Sequence, residues 1–194
     1  INAKTSKVNQ LTITGGTTNI NNNKLIVEAT SGKAGVVSTL KSYATATSLT
    51  SSLLSDTNRT LVIADNGTGA GGAAVLSTFG GQTVDANSIL VMAAIKGDAN
   101  LDGTVTGADY TVWADHFSQA GGWLQGDFNS DGTITGADYT VWADHFGQGT
   151  APTPLLPEIV AAPSITSGAA VPEPASLMVL GLGAGALLLR RRKH

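Results

Sequence analysis

No cysteine occurs among the 194 residues. That excludes a disulfide framework, a thiolate nucleophile and any cysteine-ligated metal site. Charge is scarce as well: 13% of residues are Asp, Glu, Lys or Arg, and 5% are aromatic. Hydrophobic residues, at 42%, suffice for a modest core in one or two domains. Abundant Gly, Thr, Ser and Asn suit an exported, β-rich, loop-rich chain better than a helical cytosolic enzyme. Positive charge is missing from one place in particular. Residues 97–146 hold eight Asp and no Lys or Arg. Such a span repels itself unless cations bind, and without a basic face it excludes nucleic acid as a partner. Four of the 11 basic residues instead form the run Arg190, Arg191, Arg192, Lys193. The chain opens at Ile1 with no charged-then-apolar leader, so it is expected to be the C-terminal part of a longer exported precursor.

What is present divides into four stretches. Residues 1–96 read as a β-rich module. "QLTITGG", "NKLIVEAT", "RTLVIAD" and "NSILVMAAI" are short β-branched or aliphatic runs bounded by Gly/Asn/Thr turn clusters. "AGVVSTLKSYATATSLTSSLL" reads as a helix over about 34–54. Asp56, Asp65 and Asp85 sit in turn contexts, where Asx turns are the expectation. Asn58-Arg59-Thr60 and Asn66-Gly67-Thr68 fit the glycosylation acceptor pattern, which chance supplies in an Asn/Thr-rich chain. Residues 150–170 read as a linker, since all six prolines fall between Pro152 and Pro174.

Between these lies a duplication. "GDANLDGTVTGADYTVWADHF" from Gly97 returns as "GDFNSDGTITGADYTVWADHF" from Gly126, identical at 18 of 21 positions. Each copy fits D-x-N-x-D-G-x5-D, one residue away from the calcium loop that ends in Glu. In the first copy Asp98, Asn100 and Asp102 take loop positions 1, 3 and 5. Gly103 turns at 6, Thr104 offers a carbonyl at 7, Thr106 sits at the water-bridged position 9, and Asp109 closes at 12. The second copy supplies Asp127, Asn129, Asp131, Gly132, Thr133, Thr135 and Asp138. A hard cation takes six to eight oxygens at about 2.3–2.6 Å. Alternate residues of a tight loop point inward to meet that need. Val105 and Ile134, at position 8, are expected to pair the two loops with each other. Magnesium, or acidic turns without metal, are the alternatives.

A helix is expected after each loop. Tyr110, Trp113 and Phe117, and again Tyr139, Trp142 and Phe146, recur at i, i+3 and i+7. These rings are expected to form the core of a two-helix module; a ligand-stacking platform is the alternative. The helix that usually enters such a loop is missing in both copies. His116 and His145 have no nucleophile beside them and read as packing or surface groups.

A calcium loop ending in Asp, lacking its entering helix and duplicated, resembles a type I dockerin, an EF-hand-related module, over 97–149. The resemblance implies two bound calcium ions, a small helical fold stabilised by them, and a cohesin-like domain on another protein as partner. Carried over by position, partner recognition falls on Gly107, Ala108, Ala114, Asp115 and Gln119, and on Gly136, Ala137, Ala143, Asp144 and Gln148. Cellulosomal dockerins often carry a Ser-Thr-like pair where Gly-Ala stands here and a basic pair where Ala-Asp stands. The departures leave open a different cohesin-like partner, or none. Residues 19–96, with "NNNKLIVEAT", "LVIADNG" and "FGGQTVDANSILVMAAIKGDANLDG", resemble the segment that precedes dockerin repeats in large planctomycete-type surface proteins.

Residues 171–194 resemble a PEP-CTERM sorting signal: Val171, then Pro172, Glu173 and Pro174, an uncharged run over 175–189, then Arg190, Arg191 and Arg192. Fifteen residues of helix rise roughly 22 Å, short of the ~30 Å hydrocarbon core, which a few flanking residues complete. The basic end stays cytoplasmic, so everything before it lies outside. The resemblance implies export, transient membrane retention, and cleavage near Pro-Glu-Pro by an exosortase-type enzyme; a plain membrane anchor is the alternative. The expected fold class is therefore α+β, with a β-rich module, a two-helix calcium-loop module, a Pro-rich linker and one C-terminal hydrophobic helix. The expected function is that of a non-catalytic region of an exported surface or matrix protein. The rival readings are the tail of an extracellular polysaccharide-degrading enzyme and a calcium-rigidified stalk. Every closely spaced acidic set is taken up by the loops, so none is left for a glycosidase pair.

Overall fold

Three of the aliphatic runs meet in one sheet. The computed structural model describes residues 3–29, 31–68 and 72–149. Its strands are β1 (Thr5–Val8), β2 (Thr18–Asn19), β3 (Lys24–Glu28), β4 (Leu49–Thr50), β5 (Arg59–Asp65), β6 (Thr78–Phe79), β7 (Gln82–Thr83) and β8 (Ser88–Ile95). The helices are α1 (Lys33–Thr45), α2 (Gly107–Asp115) and α3 (Gly136–His145), with 3-10 turns at Ser52–Ser55 and Trp123–Gln125. The main sheet runs β1-β3-β8-β5. β1 lies parallel to β3, and β8 lies antiparallel to both β3 and β5. β2 with β4, and β6 with β7, form two small ribbons. The architecture is α+β. The expected linker 150–170 and hydrophobic helix 171–194 lie outside the described residues, among which no helix is long and apolar enough to cross a membrane.

Successive side chains of a strand point to opposite faces, and the register sorts them. Ile26, Leu90 and Ala64 align across β3, β8 and β5, as do Leu25, Val91 and Ile63. The first set joins Val62 and Ala94 on one face; the second joins Val27 and Ile89 on the other. β8 is central and covered on both sides, which is why it reads as an unbroken apolar run.

Helix α1 covers one face through Val36, Val37, Leu40 and Tyr43, a helical stripe. The helix is shorter than the expected span 34–54. The hydroxyls of Thr39, Ser42 and Thr45 donate back to the carbonyls of Gly35, Thr39 and Lys41, a bond that competes with the helical ladder. Thr47 then takes a left-handed φ of 58°, and Leu49 turns back into the core as part of β4. The run 10–16 forms no strand; Leu11 and Ile13 reach the same layer from irregular backbone.

The opposite face is covered by the duplicated segment. Ala99, Leu101, Trp123, Leu124 and Phe128 share one buried cluster with Ile26, Val62, Ala64, Leu90 and Ala94. Val112, Trp113, Val141 and Trp142 pack against its edge. Accordingly the described residues of sheet and repeat gather into one compact unit.

Phe128→Ala is expected to lower stability by about 3–5 kcal/mol. In urea, tryptophan fluorescence and strand circular dichroism should fall in the same transition, because one core serves sheet and repeat. Two separated transitions would contradict the shared core.

Candidate metal centre

Both copies of the repeat fold alike. Asp98 Oδ1 accepts from Asp102 N at 3.2 Å and Oδ2 from Gly103 N at 3.0 Å; the counterparts at Asp127 are 3.1 and 3.0 Å. Asn100 Oδ1 accepts from Asp102 N, and Asp102 Oδ1 from the Thr104 amide and hydroxyl; Asn129, Asp131 and Thr133 repeat this. Short acidic and amide side chains capping the loop's own N–H groups bend it into a tight turn. Asp109 then spans the loop. Its Oδ1 accepts from Ala99 N at 2.8 Å and Asn100 N at 3.2 Å, and its Oδ2 from Thr106 N at 2.8 Å. Asp138 does the same with Phe128, Asn129 and Thr135. Thr106 and Thr135 are the N-caps of α2 and α3, and each closes a capping box with the Asp three residues on. The two helices start where the repeat spacing predicts them.

The electrostatics are lopsided. Asp98, Asp109 and Asp138 have no exposed surface, and Asp127 almost none, while residues 97–146 contain no Lys or Arg. Asp98 is pushed up to about 7 by burial and by the charge of Asp109, against the N–H donors of Gly103 and Asp102. Asp127 is raised by burial, with Asp138 adding to it. Desolvation acts to raise exposed Asp102, but the hydroxyl and amide of Thr104 and the Asn100 amide hold it below its ordinary value. Asp131 is lowered by the Thr133 hydroxyl and amide and by Asn129. Among the described residues, no three His, Asp or Glu side chains are arranged to hold a metal ion by themselves.

The position-8 residues do not pair the loops with each other. Val105 N donates to Gln148 O and Gly147 N to Val105 O, both at 2.9 Å. Ile134 N donates to Gln119 O at 2.9 Å and Ser118 N to Ile134 O at 2.8 Å. Each loop is clasped by the segment leaving the other copy's helix, and that keeps Val105 and Ile134 fully buried. The exchange continues at the tryptophans. Trp113 Nε1 donates to Thr135 O at 2.8 Å, and Trp142 Nε1 to Thr106 O at 2.9 Å.

The six helix aromatics touch one another in a chain. Trp113 meets Phe117 at 5.2 Å and Tyr139 at 5.3 Å, and Trp142 meets Phe146 at 5.0 Å and Tyr110 at 5.2 Å between centroids. Tyr110, Phe117, Tyr139 and Phe146 remain exposed, so this is an open layer between two helices rather than a closed core. Val112 with Trp113 and Val141 with Trp142 also pack against the buried cluster that the repeat shares with the sheet. His116 and His145 place Nδ1 at 2.8 and 2.7 Å from the carbonyls of Val112 and Val141, at the helix ends. Of the positions carried over for partner recognition, Gly107, Ala108, Ala114, Asp115, Gln119, Gly136, Ala137, Ala143 and Asp144 are exposed, and Gln148 is half-buried. The sorting residues Pro172, Glu173, Pro174, Arg190, Arg191 and Arg192 lie outside the described residues.

Two groups escape the loop pattern. Trp123, from the short segment joining the copies, donates Nε1 to the Asp98 carbonyl at 2.6 Å while its ring sits in the sheet core; one Trp-Leu pair in a polar linker was its only sequence signal. Asn66 is fully buried and bonded to Leu76 and the Asp85 carbonyl, which removes it as a glycosylation acceptor. Asp56, Asp65 and Asp85 each accept from the amide two residues on, as Asx turns.

Residues 170–193 match the PEP-CTERM protein-sorting motif, a signal of export to the cell surface. Among solved structures the chain is similar to the type II cohesin-dockerin domain from Bacteroides cellolosolvens, at 36% identity over 29% of this chain and 90% of that one, with a TM-score of 0.26. No curated protein matches the chain.

Gly126 takes a φ of 100°, and a Cβ there would lie 2.8 Å from the Trp113 Cα; at Gly97 the φ is 93° and the Trp142 Cα lies at 3.0 Å. Gly126→Ala should therefore cost about 1–3 kcal/mol, measured as a fall in the urea midpoint. Gly136→Ala, in helix α3 with open space around it, should not lower the midpoint.

Proposed function

We propose that residues 97–149 form a calcium-folded docking module in a non-catalytic region of an exported surface or matrix protein. One observation carries the metal reading: each loop buries two neighbouring carboxylates, Asp98 with Asp109 and Asp127 with Asp138, in a span without a single Lys or Arg. Uncompensated buried charge is costly unless a cation meets it. The oxygens on offer are carboxylate, amide and backbone carbonyl, the set a hard divalent ion takes. One ion per loop, two in all, would draw on Asp98, Asn100, Asp102, Asp109 and the Thr104 carbonyl, with a water at Thr106. Asp127, Asn129, Asp131, Thr133, Thr135 and Asp138 serve likewise. Calcium neutralises the pairs and fixes the first turns of α2 and α3. The exposed residues of those helices are then presented to a cohesin-like domain. The sorting tail holds the protein at the membrane until an exosortase-type enzyme cuts near Pro172-Glu173-Pro174.

A stalk stiffened by calcium is the second reading, favoured by the core that the repeat shares with the sheet. Pull-down of envelope proteins with the full chain, in calcium and in chelator, separates the two. Absence of any calcium-dependent partner favours the stalk.

Calcium at a hundredfold over its dissociation constant should stabilise the fold by about 2.7 kcal/mol per site. The melting temperature should rise with calcium and fall with chelator. In calorimetric titration, Asp109→Ala and Asp138→Ala should each remove one binding equivalent. A melting temperature indifferent to both calcium and chelator would sink the metal reading.

A further inference from the structure

We infer that Trp113 and Trp142 are positioning residues for the metal loops, and that each serves the loop of the other copy. The inference rests on the calcium reading above and names residues that act on those sites without touching an ion. The peptide units flanking Thr106 are held from two sides. On one side the Thr106 N–H is bound by Asp109, the closing carboxylate of loop 1, at 2.8 Å. On the other, the Thr106 carbonyl accepts from Trp142 Nε1 at 2.9 Å. That carbonyl's helical partner, Tyr110 N, stands at 3.4 Å, so the indole is its close donor. The second loop is built the same way: Asp138 binds Thr135 N at 2.9 Å, Trp113 Nε1 binds Thr135 O at 2.8 Å, and Tyr139 N is 3.4 Å away.

Position 9 is the joint between loop and helix, and position 12 reaches back from the first turn to span the loop. A donor on the position-9 carbonyl therefore sets the tilt of the helix start that aims the closing carboxylate. Trp142 does this for Asp109, and Trp113 for Asp138. The backbone fits the same exchange. Gly97, just before loop 1, lies against the Trp142 backbone, and Gly126, just before loop 2, against that of Trp113. A side chain at either glycine would push the tryptophan off its carbonyl. Neither tryptophan contacts the loop of its own copy through its indole N–H.

The crossed wiring gives a crossed experiment. In the full chain, Asp131→Ala leaves loop 1 as the binding site, and Asp102→Ala leaves loop 2; both residues are exposed. Trp→Phe keeps an aromatic ring and removes the N–H. Calcium affinity is then measured by calorimetric titration. In the Asp131→Ala background, Trp142→Phe should weaken binding about tenfold, as loss of one hydrogen bond of ~1.4 kcal/mol would, and Trp113→Phe should change it less than about twofold. In the Asp102→Ala background the two should exchange roles. A second measurement leaves both tryptophans in place. When calcium fills loop 1 of the Asp131→Ala protein, the indole N–H proton resonance of Trp142 should shift and that of Trp113 should stay. Equal weakening of both loops, an effect confined to a tryptophan's own copy, or a Trp113 resonance that moves with loop 1 overturns the wiring and leaves the calcium reading standing. If neither single-loop parent nor the unmodified chain binds calcium, the calcium reading falls and takes the wiring with it.

Discussion

Two like charges buried side by side govern the duplicated segment. Asp98 and Asp109 are out of solvent, and burial with mutual repulsion pushes Asp98 far above its ordinary range. The surrounding loop is organised around that difficulty. Its amides converge on the carboxylates, its glycine turns at a φ of 96° that a side chain would strain, and its helix starts with the closing carboxylate inside its first turn. The same strain recurs at Asp127 and Asp138. Backbone dipoles soften the repulsion but carry no net positive charge. How the first turns of α2 and α3 are held depends on how the carboxylate pairs are balanced.

The repeat is internally symmetric but its support is not. The copies differ at three aligned pairs: Ala99 and Phe128, Leu101 and Ser130, Val105 and Ile134. Ala99, Leu101 and Phe128 are buried against the sheet, whereas Ser130 is exposed. One sheet face meets the two loops at non-equivalent positions, so the residues that touch it differ in volume. Val105 and Ile134, each clasped by the segment leaving the other copy's helix, differ by one methylene, while both tryptophans and both capping boxes are identical.

How far the structure can be read from sequence follows from the range of the interactions. Loop spacing, N-caps and helix starts are legible because Asp, Asn, Gly and Thr act on backbone within a few residues of themselves. β3, β5 and β8 are legible because their aliphatic runs are long and bounded by turns. The run 10–16 misleads: Leu11 and Ile13 have strand-like alternation but no neighbouring edge to pair with, and they pack from irregular chain. The helix over 34–54 stops early because serine and threonine hydroxyls compete for its carbonyls. The pairing of Val105 and Ile134 is set by where α2 and α3 end, which no local pattern records. Trp123 shows how far a short linker can matter: its ring belongs to the sheet core and its N–H to the first residue of loop 1.

The clasp of residues 147–149 on Val105 has a mechanical consequence. The chain leaves α3, crosses to the first loop, and is bonded there at Val105 through Gln148 O and Gly147 N, with Thr104 bridged to Gly149. Tension arriving along the chain from its C-terminal side therefore loads this clasp before it reaches α3. The clasp is two hydrogen bonds and a bridge beside the first acidic loop. A pull from that side is therefore borne first by backbone hydrogen bonds at Val105 and Thr104, and only through them by α3.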